Sequence, residues 1–332
     1  MTEELRLGVV GCGSLGTRLI EQFAAVEGVT IAGLTDIDAS NLEETGRQFA
    51  VPEGARFTDL AAMLEARALD AIQITTPHTL HSEQILAGFE HDLHVYCEKP
   101  LVTDLDHAKE IHRRDRANDS VLMVGYQRHL DPAFLQVSDR YADGALEPRM
   151  MTVEITQDLL GLGGWYTDPS LSGGGQLYAT GTHVIDALLW STGLDPVEVT
   201  AALDCKAGTD RLDKHAALTI RFANEAVATL AISGDTRRVR EHHHYWDDEG
   251  AIYVEGREWD PRTVRTIDAD GVEHSPHLGG PSKTKAEAFI EAIREDETPP
   301  ATSRDALRAT VIKEAAYQAE HEGQTVDVSD WL

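Results

Sequence analysis

Short apolar runs alternate with amphipathic stretches through residues 1–125. The apolar runs predict strands at residues 5–10, 29–35, 70–75, 93–97 and 121–124. The stretches between them have helical periodicity, and they predict helices at residues 15–26, 41–49, 60–66, 82–89 and 105–117. Strands that alternate with helices are typical of βαβ units, so the first half predicts an α/β fold with a parallel sheet.

After residue 145 the pattern changes to short β runs in close succession, which favours a largely antiparallel sheet. The predicted strands are residues 149–157, 197–204, 216–222, 227–233, 239–245 and 251–254, and the predicted helices are 181–191, 283–295 and 304–322. No low-complexity linker separates the halves, so we predict a nucleotide-binding domain at 1–127 and an α+β domain at 128–332. Whether the closing helices pack back on the first domain is left open.

The chain of 332 residues carries 57 Asp and Glu against 29 Lys and Arg, a formal net charge of −28. So acidic a surface repels phosphodiester backbones and anionic lipid, which argues against nucleic acid and membranes as partners. The acids are spread along both halves and only seven cations are Lys, a composition that suits a cytoplasm of high salt. No basic leader or long apolar run precedes the first strand, so a cytoplasmic protein is expected.

No spacing of Cys and His that is typical of a metal site appears in this chain. The cysteines Cys12, Cys97 and Cys205 form neither a disulfide framework nor a metal-binding spacing. A cluster of Glu and three His occupies residues 241–244. Because consecutive residues of a strand point to opposite faces, at most two of these side chains converge, and no metal site is predicted.

A glycine-rich motif follows the first predicted strand and opens the first helix. It consists of Gly11, Cys12, Gly13, Ser14, Leu15 and Gly16. The first glycine allows a tight turn, the second lets backbone approach a pyrophosphate, and the third permits close packing of helix on strand. Asp36 ends the next strand, where a carboxylate would bind the ribose of a dinucleotide. The uncharged Ile37 follows it, so NAD is favoured over NADP, whose 2′-phosphate would meet like charge. The alternative role of Asp36 is a helix N-cap.

The sequence Glu98-Lys99-Pro100 follows the predicted strand 93–97, at the edge of the sheet where ligands bind. Lys99 is the only lysine among the first hundred residues. Beside an oxidised nicotinamide its pKa would fall, which suits it to proton transfer with a substrate hydroxyl. The alternative is a surface ion pair with Glu98.

A third block runs from Gly173 to Asp186 and contains a glycine turn followed by a predicted helix. His183 and Asp186 lie one helical turn apart on a shared face. A histidine in a substrate cleft can act as a general base near neutral pH, although a helical histidine can equally be a packed side chain.

At these three blocks the sequence resembles the Gfo/Idh/MocA family of glucose–fructose oxidoreductases, inositol dehydrogenases and MocA proteins. The resemblance covers nearly the whole chain and includes Thr76-Pro77-His78 and residues 125–129. It implies an N-terminal Rossmann domain with a doubly wound parallel sheet and a C-terminal α+β domain with a large open, mostly antiparallel sheet. It further implies hydride transfer between nicotinamide and a sugar, cyclitol or polyol, in a homodimer or homotetramer.

The resemblance also implies roles for single residues. Lys99 would be the catalytic lysine, Glu98 would lie near the nicotinamide ribose, and His183 would be the acid/base. The other expected cofactor contacts are Thr76, Pro77, His78, His81, Lys99 and Gln127. From their positions in the sequence, the expected substrate contacts are Lys99, Arg128, Asp158, Trp165, Tyr166, Thr180 and His183; the alternative role of Trp165 and Tyr166 is packing.

One position departs from the family pattern, which usually has Asp four residues before the histidine. This chain has Ala179 there, and alanine can neither orient the imidazole nor share a proton. Asp186 is the first candidate to compensate, followed by Thr180 and Asp158. Two alternative functions stay open: an enzyme that retains NAD and uses transient oxidation for elimination or glycoside hydrolysis, and an NAD-binding protein without turnover.

Overall fold

The structure is a computed structural model that describes residues 4–158, 161, 163–205, 211–258, 260–279 and 283–332. The chain forms two compact units. Unit 1 consists of Met1–Val102, Asp106–Gly125 and Lys283–Arg304, and unit 2 consists of Thr103–Leu105, Tyr126–Ser282 and Asp305–Leu332. A late segment of the chain therefore belongs to the same unit as the first strands.

Unit 1 is built on a parallel sheet of six strands in the order β3-β2-β1-β4-β5-β6. The strands are β1 (Leu5–Val10), β2 (Val29–Thr35), β3 (Arg56–Phe57), β4 (Ala71–Ile74), β5 (His94–Cys97) and β6 (Leu122–Val124). The order reverses at β1, between β2 and β4, which is the place where open α/β sheets bind ligands. The predicted parallel sheet is confirmed, and the two-residue β3 is an addition to it.

The helices of this half are α1 (Ser14–Ala24), α2 (Ala39–Gln48), α3 (Leu60–Ala66), α4 (His81–Glu90) and α5 (Leu105–Asp115). One further helix of unit 1, α9 (Lys285–Glu295), comes much later in the chain. Phe289 of that helix packs edge-to-face on Phe23 and Tyr96, at ring-centroid distances of 6.0 and 5.9 Å. Each such aromatic pair contributes about 0.5–1.5 kcal/mol beyond its burial.

Unit 2 is built on nine strands in the order β14-β13-β12-β11-β7-β10-β9-β8-β15. The strands are β7 (Met150–Thr156), β8 (Pro196–Cys205), β9 (Asp213–Phe222), β10 (Val227–Ser233), β11 (Arg240–Asp247), β12 (Gly250–Arg257), β13 (Thr263–Ile267), β14 (Glu273–His274) and β15 (Val326–Asp327). Neighbouring strands are antiparallel except β7 and β10, which are parallel. The expected open, mostly antiparallel sheet is confirmed.

The helices of the second half are α6 (Pro132–Tyr141), α7 (Pro169–Ser172), α8 (Thr182–Thr192) and α10 (Ser303–Glu322). One π-helical turn, Leu177–Gly181, leads directly into α8. Single π turns inside helices are frequent at functional sites. Within the described ranges, no helix is both long enough and apolar enough to cross a bilayer.

Candidate active site

The glycine turn joins the end of β1 to the start of α1. Gly11 has a φ of +96°, and a Cβ atom there would lie 2.9 Å from the backbone of Thr75. A Cβ atom on Gly16 would meet the Gly11 carbonyl oxygen, so these two positions tolerate only glycine. Gly13 differs, because no described atom lies within 4 Å of the place where its Cβ would be. The turn is therefore closed on the protein side and open at Gly13, as a backbone cradle for a phosphate requires.

Asp36 lies directly after β2 and contacts this turn. Its Oδ2 accepts a hydrogen bond of 2.7 Å from the Cys12 N–H, and its Oδ1 accepts one of 2.8 Å from the Asp38 N–H. Asp38, not Asp36, caps helix α2, because its carboxylate accepts from the Ser40 N–H. A carboxylate can accept about four hydrogen bonds, so Asp36 retains capacity for a bound ribose. The next side chain, Ile37, is 94% exposed.

The loop after β4 contains the residues from Thr76 to His81. The His81 ring lies between two backbone carbonyls, with Nδ1 2.9 Å from the Pro100 oxygen and Nε2 2.9 Å from the Thr76 oxygen. Burial lowers the pKa of His81 even though both carbonyls favour its charged form. His78 is buried against it at a centroid distance of 5.9 Å. His81 thus connects the loop after β4 to the Glu98-Lys99-Pro100 segment. Thr76 and Pro77 are part of the loop after β4.

Glu98 is buried at the end of β5 and is held by several donors. The Tyr96 hydroxyl donates to its Oε1 at 2.6 Å, and Lys285, at the start of α9, forms an ion pair with the same oxygen. Burial opposes ionisation of Glu98, but the charges of Lys285 and Lys99 outweigh it and hold the pKa of this carboxyl below its ordinary value. A Cβ atom on Gly125 would lie 2.8 Å from the Glu98 carboxylate, so glycine makes room for it.

Lys99 follows Glu98 and is half-buried. Its backbone N–H donates to Glu98 Oε2 at 3.3 Å, and the Lys99–Pro100 peptide bond is cis. The lysine therefore stands at the carboxyl edge of the parallel sheet, as its position after a strand predicted.

In unit 2, Arg128 is buried and contacts His183. Its Nη1 lies 3.0 Å from His183 Nδ1, while its Nε and Nη2 donate to Glu241 at 3.1 and 2.6 Å. Since a guanidinium can only donate, His183 Nδ1 must accept, and the proton of the neutral ring is then on Nε2. Protonation of Nδ1 would place a second cation against Arg128. In this geometry His183 is a neutral imidazole whose Nε2–H can donate a hydrogen bond.

Glu241 links Arg128 to a longer buried network. It also forms ion pairs with Arg262 and accepts from His243 Nε2 at 3.2 Å. Burial opposes its ionisation, but Arg128, His243 and Arg262 together hold its pKa well below the ordinary value. The Tyr245 hydroxyl lies 3.2 Å from His243 Nδ1, which must accept because the other ring nitrogen faces a carboxylate. The network fixes the position of the guanidinium that contacts His183.

The structure pairs Asp186 with His129 and not with His183. Asp186 Oδ2 lies 3.0 Å from His129 Nε2, and its Oδ1 has no hydrogen-bond partner within the described part of the chain. Burial raises the pKa of Asp186, against the effect of His129. The His129 ring stacks on Trp190 at 4.1 Å. Asp186 therefore holds His129, whereas His183 contacts the preceding residue, Arg128, and the expected role of Asp186 in orienting His183 stays a prediction.

The residue that replaces the usual Asp, Ala179, is buried in the π-helical turn. The adjacent Thr180 Oγ1 is buried and has no hydrogen-bond partner among the residues that the structure describes. Thr182, one residue before His183, lies 3.1 Å from the Tyr126 hydroxyl and 3.3 Å from Lys313 Nζ. The π-helical turn thus carries a buried hydroxyl, and no carboxylate, in the residues that directly precede α8.

The remaining expected substrate contacts lie elsewhere in unit 2. Asp158 is exposed and accepts a hydrogen bond of 2.8 Å from the Gly161 N–H. Trp165 and Tyr166 are half-buried and stack on each other at 3.9 Å. Gln127, which was an expected cofactor contact, is half-buried at the start of the short helix that carries Arg128.

Two family models match the chain. The model described as an oxidoreductase family with an NAD-binding Rossmann fold matches residues 5–126, and the GFO/IDH/MocA C-terminal domain matches residues 134–255. The chain belongs to the Gfo/Idh/MocA family. The resemblance seen in the sequence is thereby confirmed, and with it the expected class of enzyme, an NAD(P)-dependent oxidoreductase of sugars and polyols.

Relatives in this family have been assigned activities. The chain is 30% identical to an inositol 2-dehydrogenase from Paracoccus denitrificans, over 56% of this chain and 54% of that enzyme. It is 26% identical to a D-xylose 1-dehydrogenase [NADP(+)] from Haloarcula marismortui, over 78% and 74%. Among solved structures, levoglucosan dehydrogenase in complex with NADH and L-sorbose superposes with a TM-score of 0.86 at 20% identity, covering 98% of this chain and 99% of that one.

The residues present in unit 1 fit the nicotinamide dinucleotide that this family binds. The open position at Gly13 leaves space for a diphosphate, and Asp36 has free acceptor capacity for a ribose. The residues that sequence reasoning missed are Lys285, which pairs with Glu98, and Glu241, which holds Arg128. Each lies more than a hundred positions from its partner, so no local pattern pointed to it.

Proposed function

We propose that this member of the Gfo/Idh/MocA family is an NAD-preferring dehydrogenase of a sugar, cyclitol or related polyol. The observation that carries the proposal is the hydrogen bond between the Cys12 N–H and Asp36, which joins the glycine turn to an acceptor for a ribose. The bound nicotinamide would accept or supply the hydride. Its diphosphate would lie against the turn at Gly13 and the start of α1.

The preference for NAD rests on charge at the end of β2. Asp36 is anionic there and is followed by the exposed, uncharged Ile37, so a 2′-phosphate would meet repulsion and no cation. A similar D-xylose dehydrogenase is named for NADP(+), and the levoglucosan dehydrogenase structure holds NADH, so the cofactor of this chain has to be argued from its own residues.

We assign the proton transfer to Lys99. Its side chain is half-buried at the carboxyl edge of the parallel sheet, next to the ionised Glu98. A neutral Lys99 amine would take the hydroxyl proton as a polyol is oxidised and would return it when a carbonyl is reduced. Its action on the same hydroxyl as His183 is what the family resemblance implies.

His183 has a different task in this proposal. With Arg128 donating to Nδ1, the ring can neither accept a proton at Nε2 nor release one easily. Its Nε2–H would instead donate a hydrogen bond to the substrate oxygen and hold it in place, with Thr180 as a second hydroxyl contact. Arg128 already fixes the tautomer with the proton on Nε2, so a carboxylate at position 179 is not needed to set it.

Asp186 becomes a positioning residue. It holds His129, and His129 stacks on Trp190 of the same helix that carries His183. Replacing Asp186 is expected to lower the stability of α8 more than the rate of the chemical step.

The other expected substrate contacts, Asp158, Trp165 and Tyr166, remain predictions, as do the cofactor contacts of Thr76, Pro77, His78 and Gln127. A homodimer or homotetramer in the cytoplasm also remains a prediction.

A panel of sugars and cyclitols, each with NAD and with NADP in molar KCl, tests the proposal through the absorbance of the reduced cofactor. We expect accumulation of NADH with at least one polyol and slower reduction of NADP. Sugar cleavage without net NADH would favour an enzyme that retains its cofactor, and Ala179 makes that alternative worth testing. Tight NAD binding without turnover on any substrate would contradict catalysis.

A further inference from the structure

The four residues 241–244 divide between the two faces of strand β11. Glu241 and His243 point to the buried side and belong to the network around Arg128. His242 and His244 point to the opposite face, where both are half-buried and their rings stack in parallel at a centroid distance of 6.0 Å. Two imidazoles are thus presented side by side on a face that the catalytic proposal does not use.

The neighbouring strand supplies a third donor. Glu255 of β12 is directly opposite His242 in the strand register. One nitrogen of each histidine and one oxygen of Glu255 all lie within 4.8 Å of one another. On the other side of β11, the exposed Glu154 of β7 is also opposite His242. At most two side chains of residues 241–244 converge, because they belong to one strand. The third donor, Glu255, comes from the neighbouring strand.

The surroundings of the His244 ring allow it to bind a metal ion. Its Nε2 is a buried atom without a hydrogen-bond partner in the described residues, and the nearest Glu255 oxygen is 3.7 Å away, too far for a hydrogen bond. Arg265 lies 3.4 Å from Glu255 and is 40% exposed, so it can turn away as a cation enters.

We propose that His242, His244 and Glu255 bind one divalent transition-metal ion of the Zn²⁺ class. Two imidazoles and a carboxylate form a ligand set that Zn²⁺ accepts, at distances of about 2.0–2.2 Å. Ligands at these distances in a tetrahedron lie about 3.4 Å from one another, whereas the three donor atoms lie within 4.8 Å, so small rotations of half-exposed side chains close the gap. Water or Glu154 completes the coordination. The ion joins β11 to β12 on the face of the sheet away from His183.

The test measures binding of Zn²⁺ to the full-length protein by calorimetry, in buffer with excess Mg²⁺. Magnesium prefers oxygen ligands and saturates the many exposed carboxylates, so it isolates a site that contains nitrogen. We expect one Zn²⁺ per chain. His244→Gln should weaken this binding by more than the 10–100-fold typical of losing an outer-shell partner. Glu255→Gln should weaken it as well, and Co²⁺ in place of Zn²⁺ should give a tetrahedral d–d spectrum that both variants lose.

The matched control is His274→Gln, which removes an exposed histidine paired with Asp268 on the same sheet. It should bind Zn²⁺ like the unmodified chain. The two site variants replace half-exposed side chains, and unchanged circular dichroism verifies their fold. The proposal is overturned if the unmodified chain shows no saturable Zn²⁺ binding over Mg²⁺, or if His244→Gln and Glu255→Gln bind as tightly as the control.

Discussion

At the scale of single residues, the direction of one hydrogen bond decides what His183 can do. Arg128 lies 3.0 Å from Nδ1 and can only donate, so the ring is neutral and carries its proton on Nε2. A glutamine side chain also offers an N–H donor but cannot titrate. His183→Gln should therefore retain most of the turnover, whereas His183→Ala should lose about 10²–10³-fold, as expected for one missing donor to the reacting oxygen.

The pH dependence of kcat/KM separates this role from acid–base catalysis. The unmodified enzyme and His183→Gln should show the same pH dependence, because Lys99 transfers the proton in both. Lys99→Ala should bind NAD but lose about 10²–10⁴-fold in turnover. If His183→Gln instead loses as much activity as Lys99→Ala and removes a limb of the pH profile, then His183 transfers the proton itself.

Cofactor choice is also decided by two side chains. Asp36→Ser together with Ile37→Arg removes the negative charge at the end of β2 and adds a cation for a 2′-phosphate. The ratio of kcat/KM values for NAD and NADP should then shift toward NADP, with the glycine turn intact. A native protein that already binds NADP more tightly, in calorimetric titration, would show that this strand end does not contact the ribose.

At the scale of elements, one buried ion pair connects α9 to β5. Lys285→Met would leave the Glu98 carboxylate without its main counterion, which typically costs about 3–5 kcal/mol for a buried pair. Because the folded-state pKa of Glu98 is below its ordinary 4.5, its stabilising effect is complete above that pH and is lost as the pH falls through the folded-state pKa. Urea unfolding from pH 7 down to pH 3 should show the largest difference in stability between the unmodified chain and the variant at pH 7, and the difference should shrink below about pH 4.5, where Glu98 becomes protonated and needs no counterion.

Lys283→Met is the matched control for that experiment. It lies two residues from Lys285 and pairs with Glu291 at an exposed position, where an ion pair contributes little. Equal destabilisation by both variants would show that the effect comes from the start of α9 and not from Glu98.

Elements with a clear period could be predicted from the sequence, and those with mixed signals could not. Strands β1 and β2 match their predicted bounds, because their apolar runs end at glycine and aspartate. Helix α6 was missed within the region taken as the domain boundary. Its signals were present, since Asp131 caps it and Pro132 is its first residue. Strands β13 and β14 are short and polar, so neither alternation nor hydrophobicity marks them.

The site shows the same limit. The glycine turn and Asp36 are local patterns with fixed spacing, and the structure brings them together. Partners that come from distant segments have no such spacing, which is why the Glu241 contact of Arg128 and the His129 contact of Asp186 were not foreseen. Alternation along β11 was read correctly, but register with β12 is set by the whole sheet.

At the scale of the whole molecule, a net charge of −28 makes stability depend on salt. The Debye length rises from about 3 Å at 1 M to about 10 Å at 0.1 M, so repulsion among surface carboxylates grows on dilution. Activity and melting temperature should both fall after dialysis from molar KCl into 0.1 M KCl, and both should return when the salt is restored. Full activity with an unchanged melting temperature in low salt would exclude adaptation to a saline cytoplasm.

The central claim is that this chain moves a hydride between a carbon of a polyol and the nicotinamide. The most direct measurement follows that hydrogen, using the panel member that reduces NAD fastest, prepared with deuterium on its ring carbons. Mass spectrometry of the isolated NADH should show one deuterium per cofactor, formed in proportion to the carbonyl product. Reduced cofactor without deuterium, or a cleaved sugar with no reduced cofactor, would contradict the account.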